Sequence, residues 1–168
     1  SRTQQISILE LKLQQADDLL REAKQATINT LKTEFATADD AIRNKIDQFI
    51  SNPEGNNPQL SFVTTNSQLE IDVESGRFVL GNMLEDWGND LNNLTIENDL
   101  FIFLNKADQN LTNIRNFLDT SALAVNSLSA NSGLSQTTID GWKTAVLTAR
   151  TNINTSISDI SSAKDNLN

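Results

Sequence analysis

Leu9, Leu13, Ala16, Leu20 and Ala23 follow one another in steps of four and three, the spacing that keeps one stripe of a helix turned toward a partner helix. The stripe resumes as Leu31, Phe35, Ala38, Ile42 and Phe49. Between Ala23 and Leu31 two successive steps of four pass through Thr27, a stutter that locally relaxes a left-handed supercoil. A change from a two-helix stalk to a thicker bundle is expected there. The first helix is expected over residues 4–51, about 70 Å long at 1.5 Å per residue, too long for an isolated globular core of this size. At the other end Val146, Ile153, Ile160 and Leu167 recur at intervals of seven, with Ala149, Ser156 and Ala163 three places after the first three. Small residues at alternate seam positions let two backbones approach closely. The fourth helix, residues 135–168, is therefore expected to pair antiparallel with the first. Leu9, Leu13, Leu20, Val146, Ile153 and Ile160 form the expected stalk seam. Both end helices run without a breaker to the ends of the sequence, as the cut ends of a longer antiparallel coiled coil in a larger protein are expected to do.

Between these helices, Pro53, Gly55 and Pro58 stand among Asn and Ser in residues 52–66. Pro53 lacks the amide that a continuing helix needs. A second helix is expected over 67–91, with Leu69, Val73, Phe78 or Val79, Leu80, Met83, Leu84 and Trp87 as its apolar face. Gly76, Gly81 and Gly88 weaken it by roughly 1 kcal/mol each relative to Ala, so tertiary packing has to hold it. A third helix is expected over 97–128, capped by Thr95 or Asn98, with Leu100, Phe103 or Leu104, Ala107, Leu111, Ile114, Phe117 or Leu118, Leu123 and Val125 facing inward. SANSG, Ser129 to Gly133, then turns the chain. Ser135 or Thr137 starts the fourth helix, the latter with Asp140 in the manner of a capping box. Four helices with short connections make an all-α, up-down-up-down four-helix bundle, continuing here into the two-helix stalk.

Charge and composition narrow the chemistry. The net charge of −9 has no Lys or Arg cluster to interrupt it, which argues against nucleic acid and anionic membrane surfaces as partners. Cys, His and Tyr are absent, removing the commonest nucleophile and base pairs and almost every transition-metal site. The expectation is a non-enzymatic chain without cofactor or metal. No apolar run approaches the roughly 18 residues that span a bilayer, so direct membrane insertion by this segment is not expected.

Adjacent carboxylates at Asp17 and Asp18, Asp39 and Asp40, and Glu85 and Asp86 point about 100° apart on a helix and do not converge on one substrate. Glu85, Asp86, Asp90, Glu97 and Asp99 lack the order of oxygen ligands and glycine of a calcium loop. Trp87 and Trp142 suit the plugging of bundle ends, where a large ring with one donor is often placed. Arg43, Arg77 and Arg115 lie in separate helices, where convergence on an anionic ligand competes with ordinary ion pairing.

Two stretches go beyond helical pattern: KTEFATADDAIRNKIDQFISNP, Lys32 to Pro53, followed by PQLSF, and NSGLSQTTIDGWKTAVLTARTNINTSISDI, Asn131 to Ile160. With them most of the chain resembles the helical hairpin region of HlyD-type membrane fusion proteins, the extracytoplasmic adaptors of bacterial efflux and secretion pumps, in a subgroup whose hairpin carries additional helices. The resemblance implies a parent anchored at the inner membrane, with lipoyl-like and β-barrel modules flanking this segment. It also implies pump, channel or envelope proteins as partners and a possible homo-oligomer, a ring whose hairpins form a tube. The Arg, Leu and Ser pattern with which such adaptors dock a channel tip to tip is missing, and the second and third helices occupy the distal end instead. Two other classes share the pattern. A ligand-sensing four-helix bundle of a chemoreceptor-like protein also leaves its end helices running toward a membrane, and a virion or surface fibre spacer accounts for the richness in Asn, Ser and Thr.

Overall fold

The computed structural model describes residues 1–168. It holds four long helices and one short two-stranded ribbon. Helix α1 spans Arg2–Asp39 and continues without a break through a π-helical turn, Asp40–Lys45, and a 3-10 turn, Ile46–Phe49. Strands β1 (Ile50–Ser51) and β2 (Gln59–Leu60) then pair antiparallel, Ile50 opposite Leu60 and Ser51 opposite Gln59. Helices α2 (Ser67–Asn92), α3 (Leu100–Asn126) and α4 (Gln136–Leu167) complete the chain. The fold is all-α, with the ribbon confined to the segment where Pro53 and Pro58 stop helix propagation.

The turn chemistry follows from side chains that can satisfy free amides. Asn52 adopts the left-handed conformation, φ 52°, which Asn tolerates better than most residues, and its carbonyl accepts from Gly55 N–H. Asn66 caps α2 by accepting from the amides of Gln68 and Leu69, and Ser135 caps α4 by accepting from Thr138. The cap of α3 is Asp99, which accepts from Phe101 N–H. The expected caps Thr95 and Asn98 instead bond each other, Asn98 Oδ1 accepting from Thr95 N–H at 2.8 Å. Helix α3 therefore starts at Leu100 and not near residue 97.

Helix α3 packs against all three other helices, α4 packs chiefly on α3 and α1, and α2 leans on α3 and α1. The buried row on α2 is Val73, Arg77, Leu80, Leu84, Trp87 and Leu91, an unbroken alternation of four and three with an arginine in one seam position. Phe78 and Val79, offered as alternatives for that face, are exposed. On α3 the inward row takes Ser121, Ala122 and Val125, leaving Leu123 exposed. Burial along α1 begins at Thr27 and Ile28 and continues through Leu31, Glu34 and Ala38.

The glycines of α2 sit where another side chain comes too close for a Cβ. One added at Gly76 would stand 2.8 Å from the Phe117 ring, and one at Gly88 would stand 2.9 Å from Phe35. Phe35 in turn meets Trp87 edge to face at 5.3 Å between ring centroids, a favoured aromatic geometry. At the ribbon end Trp142 packs on Phe49 and Phe62, at 5.8 and 5.5 Å between centroids. Overpacking at a rigid ring outweighs the gain in helix propensity, so Gly88→Ala is expected to destabilise the fold by about 1 kcal/mol, checked by thermal melting. An unchanged or raised melting temperature contradicts this packing account.

Candidate functional site

Three places gather polar or unpartnered side chains: an ion-pair network at the ribbon end, a buried carboxyl between α1 and α4, and the first part of α1.

The π and 3-10 turns place Arg43 and Asp47 beside the ribbon segment, and Arg77 reaches them from α2. Arg77 is fully buried (0% exposed). Its Nε donates to Asp47 Oδ1 at 2.7 Å, and its Nη2 donates to Asp47 Oδ2 at 3.0 Å and Glu54 Oε1 at 2.9 Å. Arg43 donates from Nε to the same Glu54 oxygen at 2.9 Å and from Nη1 to Asp39. The hydrogen bond from Arg43 holds the Glu54 carboxyl below the usual carboxylate range; burial opposes the shift, and the charges of Arg43 and Arg77 reinforce it. Arg77 Nη1 has no partner and lies 2.8 Å from where a Cβ on Gly81 would stand, so the missing side chain at Gly81 is what admits the guanidinium.

Arg43 and Arg77 thus converge, but on Glu54, a carboxylate of the protein itself. Arg115 is half-buried on α3 and joins no ion pair. The three arginines do not assemble an anion site, because two of them are already neutralised by Asp39, Asp47 and Glu54. The bidentate pairing of Asp47 could not be read from spacing, since thirty positions separate it from Arg77. The seam position of Arg77 was readable from the interval between Val73 and Leu80.

Glu34 occupies a seam position of α1 facing α4 and is 5% exposed. Burial pushes its carboxyl above the ordinary value near 4.5; a hydrogen bond with Ser156 opposes this, and the adjoining Asp159 carboxyl adds to it. Grooves of about 500 and 550 Å³ flank the pair, lined by Thr27, Thr30, Thr33, Ser162 and neighbours, with no Lys or Arg in either lining. No group of three or more Asp or Glu side chains is arranged to hold a metal ion.

The two halves of the expected stalk seam lie in different surroundings. Val146, Ile153 and Ile160 are buried, but in the core shared with α3 and the latter half of α1. Leu9, Leu13 and Leu20 stand 64%, 64% and 51% exposed. The last turns of α4, Asp159 to Asn166, lie beside Ala23 to Glu34, so residues 2–22 of α1 extend about 30 Å beyond the bundle at 1.5 Å per residue. Ile6 continues the exposed stripe toward the N-terminus. No helix is long and apolar enough to cross a membrane.

Comparison with protein-family models, curated proteins and solved structures gives no match to this chain.

Two stability effects follow. Asp47→Ala leaves the buried Arg77 guanidinium without its bidentate partner and is expected to cost about 3–5 kcal/mol, read from denaturant unfolding. For Glu34, a raised folded value means the native state holds its proton more tightly than the unfolded chain. Stability is therefore lost as pH rises from the ordinary value near 4.5 toward the folded one. Glu34→Gln, which keeps the volume and removes the charge, is expected to raise the melting temperature at pH 7 and to leave it unchanged well below pH 4.5. A lower melting temperature at pH 7 would overturn burial as the dominant influence on Glu34.

Proposed function

We propose that this chain is a non-enzymatic helical spacer and protein contact segment of an HlyD-type adaptor in a bacterial efflux or secretion system. In this reading α1 to α4 form an up-down-up-down bundle at the far end of a hairpin. The projecting part of α1 belongs to the stalk that joins the bundle to the rest of an envelope protein anchored at the inner membrane. The observation that carries the reading is the exposed row Leu9, Leu13 and Leu20 on a helix extending past its own bundle. A helix of about 20 residues is marginal in water by itself, and in proteins its stability comes from packing an amphipathic face. Such a face is built to be covered by another helix.

The charged groups at the ribbon end support the same view. The buried arginine is spent on tying Glu54 and Asp47 to α2, which stiffens the end of a spacer and offers no free cation to a small anion. With a net charge of −9, the surface suits contacts with proteins and repels nucleic acid and anionic lipid.

The test is made in the parent protein within its host. Leu9→Asp, Leu13→Asp and Leu20→Asp together are expected to abolish export by the system while the bundle stays folded. Protease added outside the cytoplasmic membrane is expected to reach the ribbon end around Glu54. Unchanged export, or protection of that end by an intact cytoplasmic membrane, rules the adaptor reading out.

A further inference from the structure

Helices α2 and α3 leave a groove of about 410 Å³ between their outer edges. They run antiparallel, with Gly76 beside Phe117 toward one end and Asp90 paired with Lys106 toward the other. Leu80 and Phe117 are buried beneath the groove, and Gly76, having no side chain, leaves room above the Phe117 ring. Met83 and the exposed Val79 make the α2 wall, and Asn110, Asn113 and Asn116 make the α3 wall. On the other side of α2 a second hollow, about 320 Å³, holds the exposed Ile71 and Phe78, and Ser75 lines both. From Ile71 to Met83 this apolar surface runs about 18 Å, or about three turns, along α2. That length suits the i, i+3, i+4 and i+7 anchors of an amphipathic helix better than one small molecule, and a third helix can set its ridges between two others.

Charge selects the kind of helix. Helix α2 carries six acidic side chains, Glu70, Asp72, Glu74, Glu85, Asp86 and Asp90. Its one basic residue, Arg77, is buried and held by Asp47 and Glu54. Across the groove the α3 wall is uncharged amide, and Lys106, one turn before Asn110, is engaged by Asp90 at 3.5 Å. Asp72 stands in the groove itself. An apolar groove with an acidic rim and no free cation repels anionic partners and orients cationic ones.

We infer that the α2/α3 groove is the docking site for a lysine- or arginine-rich amphipathic helix of another protein. The apolar face of that helix lies on Val79 and Met83, and its cationic edge lies toward Asp72 and Asp86. The inference goes beyond the adaptor reading, which leaves this face without a partner. Apolar contact in the groove holds the helix, while the acidic rim sets its direction and rejects helices of the wrong charge.

Met83 is the single methionine of the chain, so an isotope label on its methyl group gives one NMR signal from inside the groove. The full chain is titrated with the synthetic helix-forming peptide LKKLLKLLKKLLKL and with LEELLELLEELLEL, the same peptide with glutamate for lysine. The lysine peptide is expected to shift the Met83 signal saturably, and the glutamate peptide to leave it in place. Val79→Lys puts a like charge in the groove wall and is expected to weaken binding of the lysine peptide about tenfold. Leu147→Lys makes the same change of charge at an exposed position on α4 and is expected to alter binding by less than about twofold. Both variants are expected to keep the melting temperature, since both side chains are exposed. An unmoved signal overturns the inference, as does a signal moved equally by the two peptides. Equal weakening by the two lysine variants overturns it as well, by showing unspecific attraction to an acidic chain. So does a shift that follows chain concentration without peptide, which puts a second copy in the groove. Any of these results leaves the adaptor reading standing, because that reading is decided by export and by protease access in the parent protein.

Discussion

Helix α3 is the post against which the rest of the molecule is assembled. Leu104, Ala107, Leu111, Ile114, Leu118 and Val125 are fully buried along it, and each of the other helices packs on it. These inward positions make an apolar ridge interrupted at the buried Ser121, and burial of such side chains is worth about 1.5–3 kcal/mol each for the larger ones. Two antiparallel ion pairs mark the outer edges of its contact with α4, Arg150 with Asp119 and Lys164 with Asp108. These are exposed enough to orient more than to stabilise. Remove the α3 ridge and α2 loses its main support, because it does not share an extensive face with α4.

The seams around α3 are not uniformly apolar, and the exceptions give the bundle its particular shape. Arg77 meets Asp47 and Glu54 at hydrogen-bonding distance through Nε and Nη2. It therefore fixes the position of α2 against the ribbon segment, since any slip strands a buried guanidinium. Glu34 acts in the opposite sense. Burial beside Asp159 makes its ionised form costly, whereas Ile28, Leu31 and Ile42 join the apolar core. The end near the ribbon is filled by Trp142, Phe49 and Phe62, packed ring against ring.

In the spacer function proposed above, position has to be carried from one end to the other, which favours an unbroken helix. Helix α1 provides one run of backbone from its exposed first turns through the bundle to the 3-10 turn at Phe49. Its first part carries equal numbers of acidic and basic side chains beside an apolar stripe, and the acidic excess lies in the bundle.

How much of this was legible beforehand differs from element to element. Apolar periodicity determined the four helices and the inward positions Val146, Ile153 and Ile160, and Pro53 and Pro58 determined the loop, because both are local properties of the chain. It misjudged α2, where Phe78 or Val79 seemed better core residues than Arg77, since hydrophobicity outranks spacing until a matching carboxylate is known to lie opposite. Which helix meets which, and that Asp47 and Glu54 await Arg77, are matters of distances between residues far apart in sequence. Those distances exist only once the chain has folded, and so the tertiary structure alone decided them.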